Sequence, residues 1–147
     1  MSPPPTLDGG VVHAKLDLIE AALRTLSSVG GVDADRLRDD ALLAAGVERL
    51  LSRVVDLAVD VNSHLAVAEL GRAPLDYRSS FAAAVEAGAL PRELGERLAP
   101  ATGLRDVIVH EYAALDLDLV AAAVPLALDG FRAYVTAVAA HLVRRRA

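Results

Sequence analysis

In ALLAAGVERLLSRVVDLAVDVNSHLAVAEL, residues 41–70, apolar side chains recur at Val47, Leu51, Val54, Ala58, Val61, Leu65 and Ala68, at intervals of 4, 3, 4, 3, 4 and 3. That spacing is the seam of one long helix packed lengthwise against another. Gly71 and Pro74 then break it. Composition agrees: 54% of the 147 residues are apolar and only 3% aromatic, so good helix formers are abundant and the usual strand markers scarce. The predicted fold class is all-α, helices packed on helices in one domain long enough to bury most of its apolar surface.

The remaining chain reads as further helices. Residues 11–28 carry Leu16, Ile19, Leu23 and Leu26 on one stripe and end at the glycines 30 and 31. Asp33 fits the N-cap of a short lead-in to the long helix. A fourth segment spans about 80–87 and stops at Gly88, and Pro91 suits the first turn of a fifth. Across Pro100 the apolar positions Leu94, Leu98, Ala101, Leu104 and Ile108 keep helical spacing, which predicts a kink before Arg105 and not a stop. Asp116 caps a last helix over about 117–143, expected to be interrupted at Pro125 and ending in three arginines, 144–146. No internal repeat is visible.

Residues 1–10, MSPPPTLDGG, have neither a basic n-region nor an apolar core and are expected to be a disordered tail before a domain at 11–147. There is no run of 18 uninterrupted apolar residues, and there are no cysteines. Disulfides and thiolate metal sites are therefore excluded, and the expected location is the cytoplasm. Lys15 is the single lysine. A net charge of −5 argues against tight, static binding of nucleic acid, while leaving room for brief contact with RNA through a local arginine cluster or for a basic partner.

One stretch breaks the apolar pattern. In LRDVIVHEY, residues 104–112, Arg105, His110 and Tyr112 follow one another as Arg-x4-His-x-Tyr. On a straight helix Arg105 and Tyr112 share a face, while His110 lies about 140° round from Arg105. Arg105 and His110 converge only if the helix ends near His110 or if two copies face each other across a symmetry axis. The plain structural reading is a capping His, a surface Arg and an interfacial Tyr. Context turns the balance toward function.

The chain resembles the HEPN superfamily, and within it the HepT-like toxins, from about His13 to the last helix. The motif Arg105, His110 and Tyr112 carries the resemblance most specifically. GVERLLSRVVDLAVDVNSHL at 46–65 is similar to the family's long dimer-forming helix, and SSFAAAVEAGALPRELGERLAPATG at 79–103 to its Phe-bearing helix and the approach to the motif. The resemblance implies an antiparallel helical bundle of about five helices, with two copies of the motif sharing a cleft in a homodimer. It implies a metal-independent endoribonuclease, without cofactor, acting on tRNA or mRNA as the toxin of a type VII toxin–antitoxin pair. Its usual antitoxin, the minimal nucleotidyltransferase MntA, transfers AMP from ATP to the motif tyrosine, here Tyr112. One position departs: Asp106 follows the motif Arg where Asn is common. An acid there either orients the guanidinium as Asn does or repels phosphate.

The residue types suit that chemistry. Metal-free cleavage uses the ribose 2′-hydroxyl as nucleophile, so protons must move and charge on the phosphorus oxygens must be stabilised. His110, with an ordinary pKa of about 6.5, serves the first need, and Arg105 the second, with a guanidinium shaped to fork onto phosphate. Tyr112 and Asp106 are the candidate substrate contacts. An adenylyl group on Tyr112 would add bulk and negative charge where phosphate must sit. Asp60 and His64 are four apart, but two ligands make no metal site. His13, His141 and the terminal arginines read as solvent-exposed. The competing hypothesis is a catalytically silent helical dimer that docks a nucleotidyltransferase. A buried, salt-bridged Arg105 would favour it.

Overall fold

A computed structural model describes residues 6–110 and 115–146. These residues form seven helices and no strand: α1 (Gly9–Ser28), α2 (Ala34–Asp39), α3 (Ala41–Leu70), α4 (Tyr77–Glu86), α5 (Arg92–Leu98), α6 (Ala101–His110) and α7 (Leu117–Arg146). The first helix starts two residues inside the expected tail, because Asp8 accepts a hydrogen bond from the Val11 amide and caps it. Of the rest of that tail, residues 6–8 are irregular and residues 1–5 lie outside the described residues. Asp33 and Asp116 cap as expected: Asp33 accepts from the Arg36 amide and Asp116 from the Asp118 amide. Helix α4 begins three residues early, since Asp76 and Ser79 form a reciprocal capping box.

Both prolines act differently from expectation. Pro100 divides the predicted fifth helix into α5 and α6: its nitrogen has no hydrogen to donate, and the ladder restarts with short bonds from Thr102 to Ala99 and from Gly103 to Pro100. Pro125 interrupts nothing. It sits exposed on α7, while Val124 and Ala127 beside it are buried, so packing carries the helix past one missing bond.

Helix α3 is the axis of the bundle. Its seam residues Val47, Leu51, Val54, Ala58, Val61 and Leu65 are all buried within the chain, so the seam faces the molecule's own core rather than a second copy. Helix α1 lies antiparallel to it, with Lys15 paired to Asp60 at 2.5 Å. Helix α7 runs beside both. By length and composition α7 would pass for a membrane span, but Val124, Phe131, Tyr134 and Val138 are buried in the bundle. Gly71, at φ +73°, terminates α3 in the left-handed conformation. Gly95 permits close packing of α5 on α4, since a Cβ there would stand 2.5 Å from a Val85 methyl.

Three of the five aromatic residues, Phe81, Phe131 and Tyr134, meet edge to face with centroids 6.1 to 6.5 Å apart at the centre of the core. The Tyr134 hydroxyl donates to Asn62 Oδ1 at 2.6 Å, and Asn62 Nδ2 donates to Ser80 Oγ at 3.1 Å. Burial pushes the Tyr134 phenol well above its ordinary range, so it stays a donor. Tyr134→Phe therefore leaves the buried Asn62 oxygen without its donor, and chemical denaturation should show a loss of about 1–3 kcal/mol.

His141, expected at the surface, is buried at 7% exposure because the last turns of α7 pack on the end of α3 and on the turn after α4. Its Nε2 lies 3.9 Å from Glu69, and Arg145 pairs with the same carboxylate. Burial lowers its pKa, Arg144 and Arg145 lower it further, and the Glu69 charge and the Gly88 carbonyl oppose them. The unfolded chain then binds a proton near pH 6.5 that the folded chain refuses. Stability is expected to fall as pH drops through about 6.5 toward the depressed value. Thermal midpoints between pH 7.5 and 5.5 should show that slope, and His141→Gln should flatten it.

Candidate functional site

Helix α6 is held loosely. Thr102 is its one buried residue, and Leu104, Val107 and Ile108 are half-buried along a groove of about 550 Å³ between α6 and α7. Leu119 and Leu126 line the far wall and are largely exposed. Among the described residues, nothing covers this apolar face.

Arg105 sits on the groove's rim with its side chain turned toward α3 and α4. Its Nε donates to Asp56 Oδ1 at 2.8 Å, and its guanidinium carbon lies 4.9 Å from the centre of the Tyr77 ring. Asp106, expected either to orient it or to repel phosphate, stands 3.5 Å from Nη1 and makes no hydrogen bond with it. The Arg105 side chain is 19% exposed. Burial opposes its charge, but the hydrogen bond and the charge of Asp56 outweigh burial and hold its pKa above the ordinary value. Burial, and then the Asp56 carboxylate, raise the Tyr77 phenol. This is the salt-bridged, mostly covered arginine that the competing hypothesis called for, though its one hydrogen bond among the described residues uses the Nε edge and Asp106 meets Nη1 only at 3.5 Å.

His110 ends α6 and is exposed. The helix is regular from Arg105 to His110, so no unwinding brings the two together within one chain, and they remain about 140° apart around the axis. Tyr112 and Glu111 lie outside the described residues. Asp106 is exposed on the solvent side of Arg105. Asp60 is engaged by Lys15 and His64 is exposed; among the described residues no group of three or more His, Asp or Glu could hold a metal ion.

Asp56 and Tyr77 escaped the reading of the sequence. The available signal was faint: Asp56 interrupts an otherwise apolar run, VVDLAV, where a charge needs a partner. Nothing local says that the partner is Arg105.

A family profile described as ribonuclease HepT-like matches residues 19–138. The chain is 29% identical over 136 residues to the tRNA nuclease HepT of Aphanizomenon flos-aquae, covering 90% of each protein. It is 25% identical over 130 residues to the mRNA nuclease HepT of Shewanella oneidensis, covering 88% of this chain and 97% of the relative. Its structure is similar to that of the tri-AMPylated Shewanella oneidensis HEPN toxin in complex with MNT antitoxin, with a TM-score of 0.79 and 25% identity over 88% of this chain and 97% of that one.

Proposed function

The chain belongs to the HepT-like ribonucleases of the HEPN superfamily, and on that premise we propose that it is a metal-independent endoribonuclease toxin of a type VII toxin–antitoxin system. The observation that carries the reading is an arginine fixed on α6 five residues before an exposed histidine at the helix end. Arg105 stabilises charge on the phosphorus oxygens, and His110 moves the protons of 2′-hydroxyl attack. The new bond joins the 2′-oxygen to phosphorus, the 5′-oxygen leaves, and a cyclic phosphate remains. Tyr112 and Asp106 contact the RNA.

The cognate antitoxin on this reading is an MntA-like nucleotidyltransferase, which neutralises the protein in the cytoplasm by moving AMP from ATP to Tyr112. A second copy of the chain completes the cleft. One α6 cannot aim Arg105 and His110 at one phosphate, and the uncovered apolar side chains of α6 and α7 offer a face for a partner copy.

One observation favours a second reading, a catalytically silent helical dimer that docks the nucleotidyltransferase: two carboxylates, Asp56 and Asp106, flank the one guanidinium and oppose an incoming phosphate. The deciding experiment incubates protein whose Tyr112 is verified by mass as unmodified with total tRNA and with mRNA in EDTA. Cleavage that His110→Ala loses supports the nuclease. No cleavage, or cleavage equal in both, leaves the docking module.

A further inference from the structure

Resting on the nuclease reading, we infer that Asp56 and Tyr77 are positioning residues that hold the Arg105 guanidinium with its end-on edge turned to substrate. Three separate helices converge on this one side chain: α6 supplies it, α3 supplies the Asp56 carboxylate at Nε, and α4 supplies the Tyr77 ring against its face. An arginine has several freely rotating bonds, and a guanidinium that must fork onto a phosphate gains from having that freedom removed beforehand. The choice of edge is the informative detail. Asp56 takes Nε, while the Nη1 and Nη2 groups have no hydrogen-bond partner among the described residues. A carboxylate competing with phosphate would hydrogen-bond the end-on pair; Asp56 takes the Nε edge instead, and Asp106, 3.5 Å from Nη1, makes no hydrogen bond to that pair.

The support behind the two residues is rigid. Tyr77 opens α4, whose capping box fixes the start of the helix, and its carbonyl accepts from Ser80 Oγ at 2.7 Å. Ser80 in turn accepts from Asn62, which Tyr134 holds in the centre of the core. Asp56 stands on α3 between the buried Val55 and Val59, on a helix that cannot shift without moving the core. The guanidinium is thus indexed to the packed interior, although α6, its own helix, buries little.

The test compares Asp56→Ala, Asp56→Asn, Tyr77→Leu and Arg105→Ala, alone and with Asp56→Ala added to Arg105→Ala, on total tRNA in EDTA, with kcat, KM and the thermal midpoint measured for each. Asp56→Ala is expected to lower kcat about 10- to 100-fold with KM for tRNA little changed. Asp56→Asn, which keeps an oxygen acceptor, should recover most of that loss. Tyr77→Leu should cost about 2- to 5-fold, on the scale of a lost cation–π contact. Because Asp56 acts through Arg105, adding Asp56→Ala to Arg105→Ala should cost nothing more. Rates that rise in both Asp56 variants, an Asp56→Asn as slow as Asp56→Ala, or losses that simply add in the double variant would each overturn the inference while leaving the nuclease intact. Should Asp56→Ala fail to fold, the Asn and Leu variants carry the test. Absence of cleavage by the wild type is a different result: it removes the nuclease reading, and this inference with it.

Discussion

His110→Ala is expected to slow RNA cleavage by about 10²- to 10⁴-fold, the usual contribution of a positioned acid or base, while the thermal midpoint stays where it is. The second half of that expectation follows from exposure. His110 ends α6 with its side chain exposed, so among the described residues truncating it removes no packing and strands no buried partner. Arg105→Ala should cost about 10²- to 10³-fold through lost charge stabilisation, but it is the less clean variant. It leaves Asp56 partly covered and without its cation, so some stability goes with the activity. Arg105→Lys separates the two effects, because it keeps the charge and loses the planar fork. Cleavage in His110→Ala at the wild-type rate would sink the assignment of the motif.

Phe81→Ala should destabilise the fold by about 3–5 kcal/mol. Phe81 is completely buried and touches both other core aromatics, with centroids 6.5 Å from Phe131 and 6.2 Å from Tyr134. Close packing lets the surrounding core relax only in part, so a cavity persists. Against a typical total of about 5–15 kcal/mol, the loss should lower the thermal midpoint by about 10 °C or more. The variant also probes the site, since Phe81 lies one turn from Tyr77 on α4. A change below about 1 kcal/mol would mean that the aromatic cluster is not the centre of the core.

Most of the helices were legible before any coordinates. The 4-3 spacing of α3 is a one-dimensional record of a buried stripe, and every seam residue from Val47 to Leu65 is indeed inside. Asp33 and Asp116 were readable as caps because capping acts over three residues and needs no distant partner. The prolines were misread in opposite directions for one reason. A missing amide costs about the same at Pro100 and at Pro125, and whether the helix survives depends on how much apolar surface its flanks bury. Around Pro125 they bury much; beyond Pro100, α6 buries only Thr102.

The candidate site divides along the same line. Arg105, His110 and their angular separation on α6 were available from spacing alone, since both belong to one short stretch of regular helix. Asp56 was not: 49 residues separate it from Arg105, and any of several exposed arginines would have satisfied its charge equally well on paper. His141 looked like a surface residue beside three arginines, and only the docking of α7 against α3 buries it. Periodicity and capping are local and survive in the order of the residues. Which charge meets which, and which histidine loses its water, depends on how helices far apart in the chain come to lie side by side, and that packing alone decided.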